Sequence, residues 1–166
     1  DAVLFDIHGE YAPLVGDNFV HYKIAGPNDS KSDNILYLPY WLLTYEEMLS
    51  LMLDRSDSNA PNQAMMFSKA VIDGKRAFLK SIGRDDMVAS ITLDSPIPYD
   101  LDELLNFLNE KDTEMVQGSR GEKKGTYNGL LTRFIQRLST KKLDKRLNFM
   151  FDNDSSLLDY NYMKEL

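Results

Sequence analysis

The sequence predicts an α+β chain, with one buried strand and a few short strands carrying a mainly helical insertion. Two observations lead there. Ala2, Val3, Leu4 and Phe5 form an unbroken apolar run, the pattern of a strand covered on both faces in a parallel sheet. Further along, apolar residues recur at helical spacing in four separate stretches. A buried parallel strand needs neighbours brought by crossovers. The chain is therefore expected to be a piece of a larger α/β protein, cut just before a central strand.

The elements follow in order. Asp6, His8, Gly9 and Glu10 come directly after the apolar run, at the carboxyl end of the strand, where open α/β sheets keep their ligand sites. Residues 12–18 read as loop. Phe19 to Ile24 alternates as a short strand does, and Gly26-Pro27-Asn28-Asp29-Ser30 is a turn signal. Ile35 to Leu38 reads as another short strand, ended by Pro39. Thr44 and Glu47 have the spacing of a capping box, which predicts a helix over 45–54. Pro61 near a start and Gly83 past an end bracket a long helix over 61–82. Its apolar face runs through Ala64, Phe67, Val71, Phe78 and Ile82, widened by Met65, Ile72 and Leu79, and Gly74 on that face allows close backbone approach.

Met87 to Leu93 is expected to be extended, and Pro96 and Pro98 exclude a helix there. Asp100 and Glu103 form a second capping pair before the stripe Leu101, Leu104, Leu105 and Leu108. Residues 111–125 are charged and end Gly-rich, as a mobile loop would. Thr126 is the expected cap of a fourth helix carrying Tyr127, Leu130, Leu131, Phe134, Ile135 and Leu138 on one face. The organisation this implies is a strand-and-loop segment over 1–43, a helical insertion over 44–151 and a tail over 152–166.

Composition narrows the function classes. Apolar residues make up 43% of the chain, too many for a disordered protein. The absence of cysteine excludes disulfides and thiolate metal sites and fits a cytoplasmic protein. No stretch approaches the roughly 18 consecutive apolar residues of a membrane span. Net charge is −7, unevenly spread. Residues 120–146 hold nine bases against Glu122 and Asp144, a local balance of +7, so the remainder carries −14. A basic stripe in an acidic chain marks either an anionic partner or a solvated helix face with a loop.

The motif GxxxxGK[ST] does not occur, so this sequence carries no phosphate loop and no conventional nucleotide site of its own. Asp6, His8 and Glu10 are conceivable metal ligands, but no second ligand pair follows at metal spacing, which favours a structural His8. Leu38-Pro39-Tyr40-Trp41-Leu42-Leu43 contains the only Trp, in a cluster typical of a packed core, with an exposed stacking platform for single strands as the alternative.

Several segments together carry a resemblance. Asp6-Ile7-His8-Gly9-Glu10-Tyr11 resembles the D-x-H-G-E-Y signature of HerA-type ATPases, in the HerA–FtsK group of P-loop DNA translocases. Leu38 to Leu43 resembles the family's P-Y-W-L segment, and Asp94-Ser95-Pro96-Ile97-Pro98-Tyr99 its D-S-P-x-P-[FY] segment. Leu143 to Phe151 is similar to its D-x-R-Y-x-F-x-F run, with Leu147 in place of the Tyr. These motifs stand in the family's order over essentially the whole chain.

The resemblance implies a RecA-like ATPase domain, of which this chain is the span between the Walker A and Walker B motifs. It implies a parent that uses ATP and magnesium, forms a hexameric ring on DNA, and works with an accessory nuclease or effector. Asp6 and Glu10 are then the expected catalytic positions, Glu10 first, as carboxylates that orient the attacking water or a magnesium-bound water. Lys123, Lys124, Arg133 and Arg137 are the expected interaction residues, with Arg133 and Arg137 reaching solvent together. Alone, the chain is expected to be inactive and without a cofactor. The alternative reading is a non-catalytic helical module that docks a partner protein or a neighbouring subunit.

Overall fold

The Thr44–Glu47 pair closes its capping box. Glu47 N–H donates to Thr44 Oγ1 at 3.3 Å, and Thr44 N–H donates to Glu47 Oε2 at 2.8 Å. Helix α1 (Tyr45–Met52) follows and buries Met48, Leu49 and Met52. It stops short of the expected residue 54, because the Asp54 carboxylate instead ties the next turn through Ser56 N–H at 3.0 Å. The computed structural model describes residues 2–14, 16–24, 26, 34–151 and 159. The tail expected over 152–166, apart from Asp159, and most of the Gly26–Ser30 turn lie outside the described residues.

Helix α2 (Ala60–Ser81) carries Pro61 in its first turn and ends before Gly83, whose φ of 71° no helix can continue through. Its buried row is Phe67, Val71, Lys75 and Leu79, flanked by Gln63, Met66 and Ala70. The expected face was therefore turned slightly. Phe78 is only half-buried and Ile82 is exposed, because Lys75 and Leu79 take the inward positions. Helix α3 (Leu101–Thr113) matches its sequence: Asp100 accepts Asp102 N–H at 2.7 Å and Glu103 N–H at 3.0 Å, and Leu101, Leu104, Leu105 and Leu108 are buried.

Residues 111–125 are not a loop. Residues 111–113 end α3, and strands β1 (Met115–Gly118) and β2 (Gly121–Lys124) form an antiparallel hairpin, with Met115 opposite Lys124 and Gly118 opposite Gly121. Gly121, at φ 115°, supplies the tight reversal that the charged composition concealed. Helix α4 (Thr132–Leu143) starts later than Thr126 predicts. Gly129 at φ 78° interrupts the chain, and the cap comes from α3: Asp112 accepts Leu131 N–H at 2.7 Å and the Thr132 hydroxyl at 2.5 Å. Phe134, Ile135 and Leu138 face inward as expected, whereas Tyr127 and Leu130 sit in the preceding turn. Helix α5 (Asn148–Phe151) closes the body and buries Met150 and Phe151.

The helices pack in a chain of neighbours, α2 on α3, α3 on α4 and α4 on α1. Phe67 lies at the centre, stacked on Tyr45 at 5.9 Å and tilted against Phe134 at 5.4 Å between ring centroids. Among the described residues no helix is long and apolar enough to cross a membrane.

The strand expectations are corrected most. Ala2 to Asp6 form no strand and are exposed, with Val3 at 83% and Phe5 at 87% of full exposure. No described segment lies alongside to complete a ladder, and Val3 and Phe5 have no packed layer over them either. Only Lys23–Ile24 and Ile35–Leu36 of the two other predicted strands pair, as a short parallel contact. Residues 85–90 turn rather than extend, through bonds such as Met87 N–H to Arg84 C=O at 3.1 Å and Ser90 N–H to Met87 C=O at 3.0 Å.

Phe134, fully buried, and Phe78, at the rim, separate by mutation. Phe134→Ala is expected to cost about 3–5 kcal/mol, and Phe78→Ala clearly less. Urea melts of both variants check this, and equal losses would contradict the orientation of α2.

Candidate functional site

The loop after the apolar run is held by one carboxylate. Asp6 Oδ1 accepts Glu10 N–H at 3.1 Å and Oδ2 accepts Tyr11 N–H at 3.0 Å. Gly9, at φ 73°, makes the reversal between them. The Tyr11 N–H holds Asp6 below the usual carboxylate range, with the Glu10, Gly9 and His8 N–H groups adding to it against a smaller opposing effect of burial. Asp6 therefore shapes the loop. Glu10 is different: its carboxylate is exposed and has no partner among the described residues. His8 is exposed as well, and no group of three His, Asp or Glu side chains among the described residues converges to hold a metal. The loop thus offers one free carboxylate, able to orient a water or take a proton.

The basic stretch divides in two. Arg137 Nη2 bonds Asp54 Oδ2 at 2.8 Å, and its side chain is only 35% exposed. Arg133, 73% exposed, leans on the buried Asp57 carboxylate at 3.8 Å. The two arginines do not reach solvent together: α4 turns Arg137 towards the Asp54 turn, and a shallow groove of about 300 Å³ lies beside both. Lys142 pairs with Asp102, and Arg146 holds Asp144 at 2.7 Å, drawing that carboxyl down to about 2. Lys123 and Lys124 are exposed on β2 and make no ion pair among the described residues.

The three remaining signature segments meet in the core. Tyr40 donates its hydroxyl to the Tyr99 carbonyl, and the two rings meet edge-on at 5.1 Å. Phe151 stacks on the other side of Tyr40 at 5.9 Å. Leu38 N–H donates to Phe149 C=O at 2.8 Å, and Trp41 is buried beside them. Tyr99 lies over Gly74, where an added Cβ would come within 3.1 Å of the tyrosine Cβ, so the bare backbone is what lets α2 approach. The sequence profile described as helicase HerA, central domain, matches residues 1–165.

The chain belongs to the HerA central-domain family. A comparison with curated proteins finds no match. In this HerA domain the P-Y-W-L, D-S-P-x-P-Y and C-terminal segments are structural: they form the aromatic joint of the helical body.

Sequence reasoning missed Lys75, which is 1% exposed. Its ammonium donates to the Leu93 carbonyl at 2.5 Å and the Ser95 carbonyl at 2.6 Å, and lies 5.8 Å from the centre of the Tyr99 ring. It therefore ties α2 to the D-S-P-I-P-Y segment. The next residue back, Asp94, caps α1 by accepting Tyr45 N–H at 2.8 Å. The available signal was its spacing, one turn after Val71 and one before Leu79. A search for apolar stripes alone passes over it.

Burial pushes the Lys75 ammonium down to about 8 from 10.5, with the Asp94 charge opposing. Between those two pH values the unfolded lysine is protonated and the folded one is not, so unfolding takes up a proton and rising pH favours the folded state. Wild type is therefore expected to gain stability over Lys75→Met as pH rises through this window, with a level difference below it. Paired denaturant melts measure this. A difference that stays level throughout would contradict the buried ammonium.

Proposed function

We propose that this chain is the central segment of a HerA-type ATP-dependent DNA translocase, in which Glu10 orients the water that attacks the terminal phosphoryl of ATP. The supporting observation is the division of labour in the Asp6–Tyr11 loop. Asp6 spends both oxygens on backbone N–H groups, whereas the Glu10 carboxylate is exposed and uncommitted. A group that is to accept a water proton needs that freedom. Family membership over residues 1–165 supports the ATPase reading of the parent.

In this reading the Ala2–Phe5 run joins a RecA-like sheet completed by other parts of the full-length protein, and the phosphate loop comes from there too. Burial of Val3 and Phe5 in that sheet would bring Glu10 to the carboxyl edge, where such sheets keep their ligands. The described residues do not fit a magnesium site by themselves, since the Asp6 oxygens are taken and no acidic trio converges. The role proposed for Glu10 therefore runs through the water alone. Assembly as a hexameric ring on DNA is part of the same proposal.

Glu10→Gln in the full-length protein tests it. ATP binding is expected to persist while turnover falls by ~10²-fold or more. The variant keeps the loop because Asp6 bonds the Glu10 backbone and not its side chain. Wild-type turnover in the variant would contradict the assignment.

A further inference from the structure

The nine bases of residues 120–146 do not act as one stripe. Arg137, Lys142, Arg146 and, more loosely, Arg133 answer carboxylates of this same chain. Arg120, Lys123 and Lys124 answer none among the described residues, and all three stand exposed on the β1–β2 hairpin. The hairpin is a defined arm. Gly125 N–H donates to Glu114 C=O at 2.8 Å, and Asn128 Nδ2 reaches the same carbonyl at 3.0 Å. Lys111 holds the Glu114 carboxylate at 2.5 Å. A Cβ at Gly125 would lie 3.0 Å from that carbonyl oxygen, so the base of the arm closes only on glycine. The arm is thereby anchored to both α3 and the turn that leads into α4.

We infer that this hairpin is a nucleic-acid-contacting arm that grips the phosphodiester backbone through Arg120, Lys123 and Lys124. Naming DNA as the polymer rests on the translocase reading above. Three features of the arm favour a phosphate backbone over an acidic protein. From Gln117 to Lys124 it carries no aromatic side chain, and protein interfaces draw much of their binding energy from buried aromatic anchors. Its three cations face a single acid, Glu122, so the arm presents net positive charge. Alternation along β2 sends Lys123 and Lys124 to opposite faces, with Arg120 at the tip. Charge is thus available on both sides of a two-stranded ribbon, a shape that a DNA groove admits. None of the three positions supports the helical core, so the arm is free to carry charge for binding alone.

The experiment is a salt titration of the full-length protein on labelled duplex DNA, comparing wild type with Arg120→Ala/Lys123→Ala/Lys124→Ala. Each phosphate contact contributes about 0.9 to the slope of log affinity against log salt, so the triple variant is expected to lose about 2–3 in slope. Turnover without DNA and oligomer mass are expected to hold, since the substitutions are on an exposed ribbon. Arg133→Ala, which removes a base already facing Asp57, is expected to leave the slope nearly unchanged. An unchanged slope in the triple variant, with wild type binding DNA, overturns the arm and leaves the translocase reading standing. The same unchanged slope with a loss of oligomer mass reassigns the arm to an acidic face of a neighbouring subunit. No DNA binding by wild type overturns both readings.

Discussion

The hydrogen bond from the Tyr40 hydroxyl to the Tyr99 carbonyl, made inside a wholly buried aromatic joint, is the contact on which the rest of this structure depends. It links two segments 59 residues apart and pairs the Tyr40 hydroxyl with the Tyr99 carbonyl inside that joint. A buried hydroxyl or carbonyl without a partner costs about 1–3 kcal/mol, so the pairing decides whether the two segments can be buried together at all. Burial also pushes the Tyr40 hydroxyl far above its ordinary titration range, which keeps it a donor. Around that bond the geometry closes. Gly74 lets Tyr99 sit on α2, Lys75 takes the Leu93 and Ser95 carbonyls, Asp94 caps α1, and Asp100 caps α3. One short segment, Leu93 to Asp100, thereby sets three of the helices.

This explains why motifs that look like chemistry in the sequence turn out to be architecture. Trp41 and Tyr40 are conspicuous as letters, yet both are buried and touch protein on all sides. The same holds for the D-S-P-I-P-Y run, whose prolines remove backbone donors from a stretch that turns sharply between two helices. Two exposed elements among the described residues carry groups that answer nothing else: the Asp6 to Tyr11 loop with Glu10, and the Met115 to Lys124 arm. These stand at exposed positions carried by, but not packed into, the helical body. A packed body that presents exposed loops and hairpins is the usual way for a domain to bring charge or a carboxylate to a partner.

Legibility followed the range of the interactions involved. Elements governed by neighbours in sequence were readable: the Thr44–Glu47 box, the Asp100 cap, the Pro61 and Gly83 ends of α2, and the leucine stripe of α3. Elements governed by distant partners were not. The start of α4 depends on Asp112 reaching across from α3, and no local signal at Thr126 could reveal that. The Val3–Phe5 run reads as a buried strand because its composition suits one, but a strand needs ladder neighbours and burial needs layers packed on its faces, and the described residues supply neither. Lys75 was hidden because a buried cation breaks the apolar pattern by which faces are found, while its two carbonyl partners lie in a loop 18 and 20 residues away. At the candidate site, the residue types were legible and their roles were not: only geometry separates Asp6, which is consumed by its own loop, from Glu10, which is not.

If the aromatic joint holds the helical body together, the joint and the helices must unfold as one. Trp41 is the only tryptophan and sits in the joint at 1% exposure, so its emission reports that joint alone. Far-ultraviolet circular dichroism reports α1 to α4. Equilibrium urea unfolding followed by both signals on one sample is the most direct measurement. Coincident transitions, with one midpoint and one slope, are the predicted result. A tryptophan transition completed while the helical signal still stands would contradict the account, because the helices would then be held by something other than the joint.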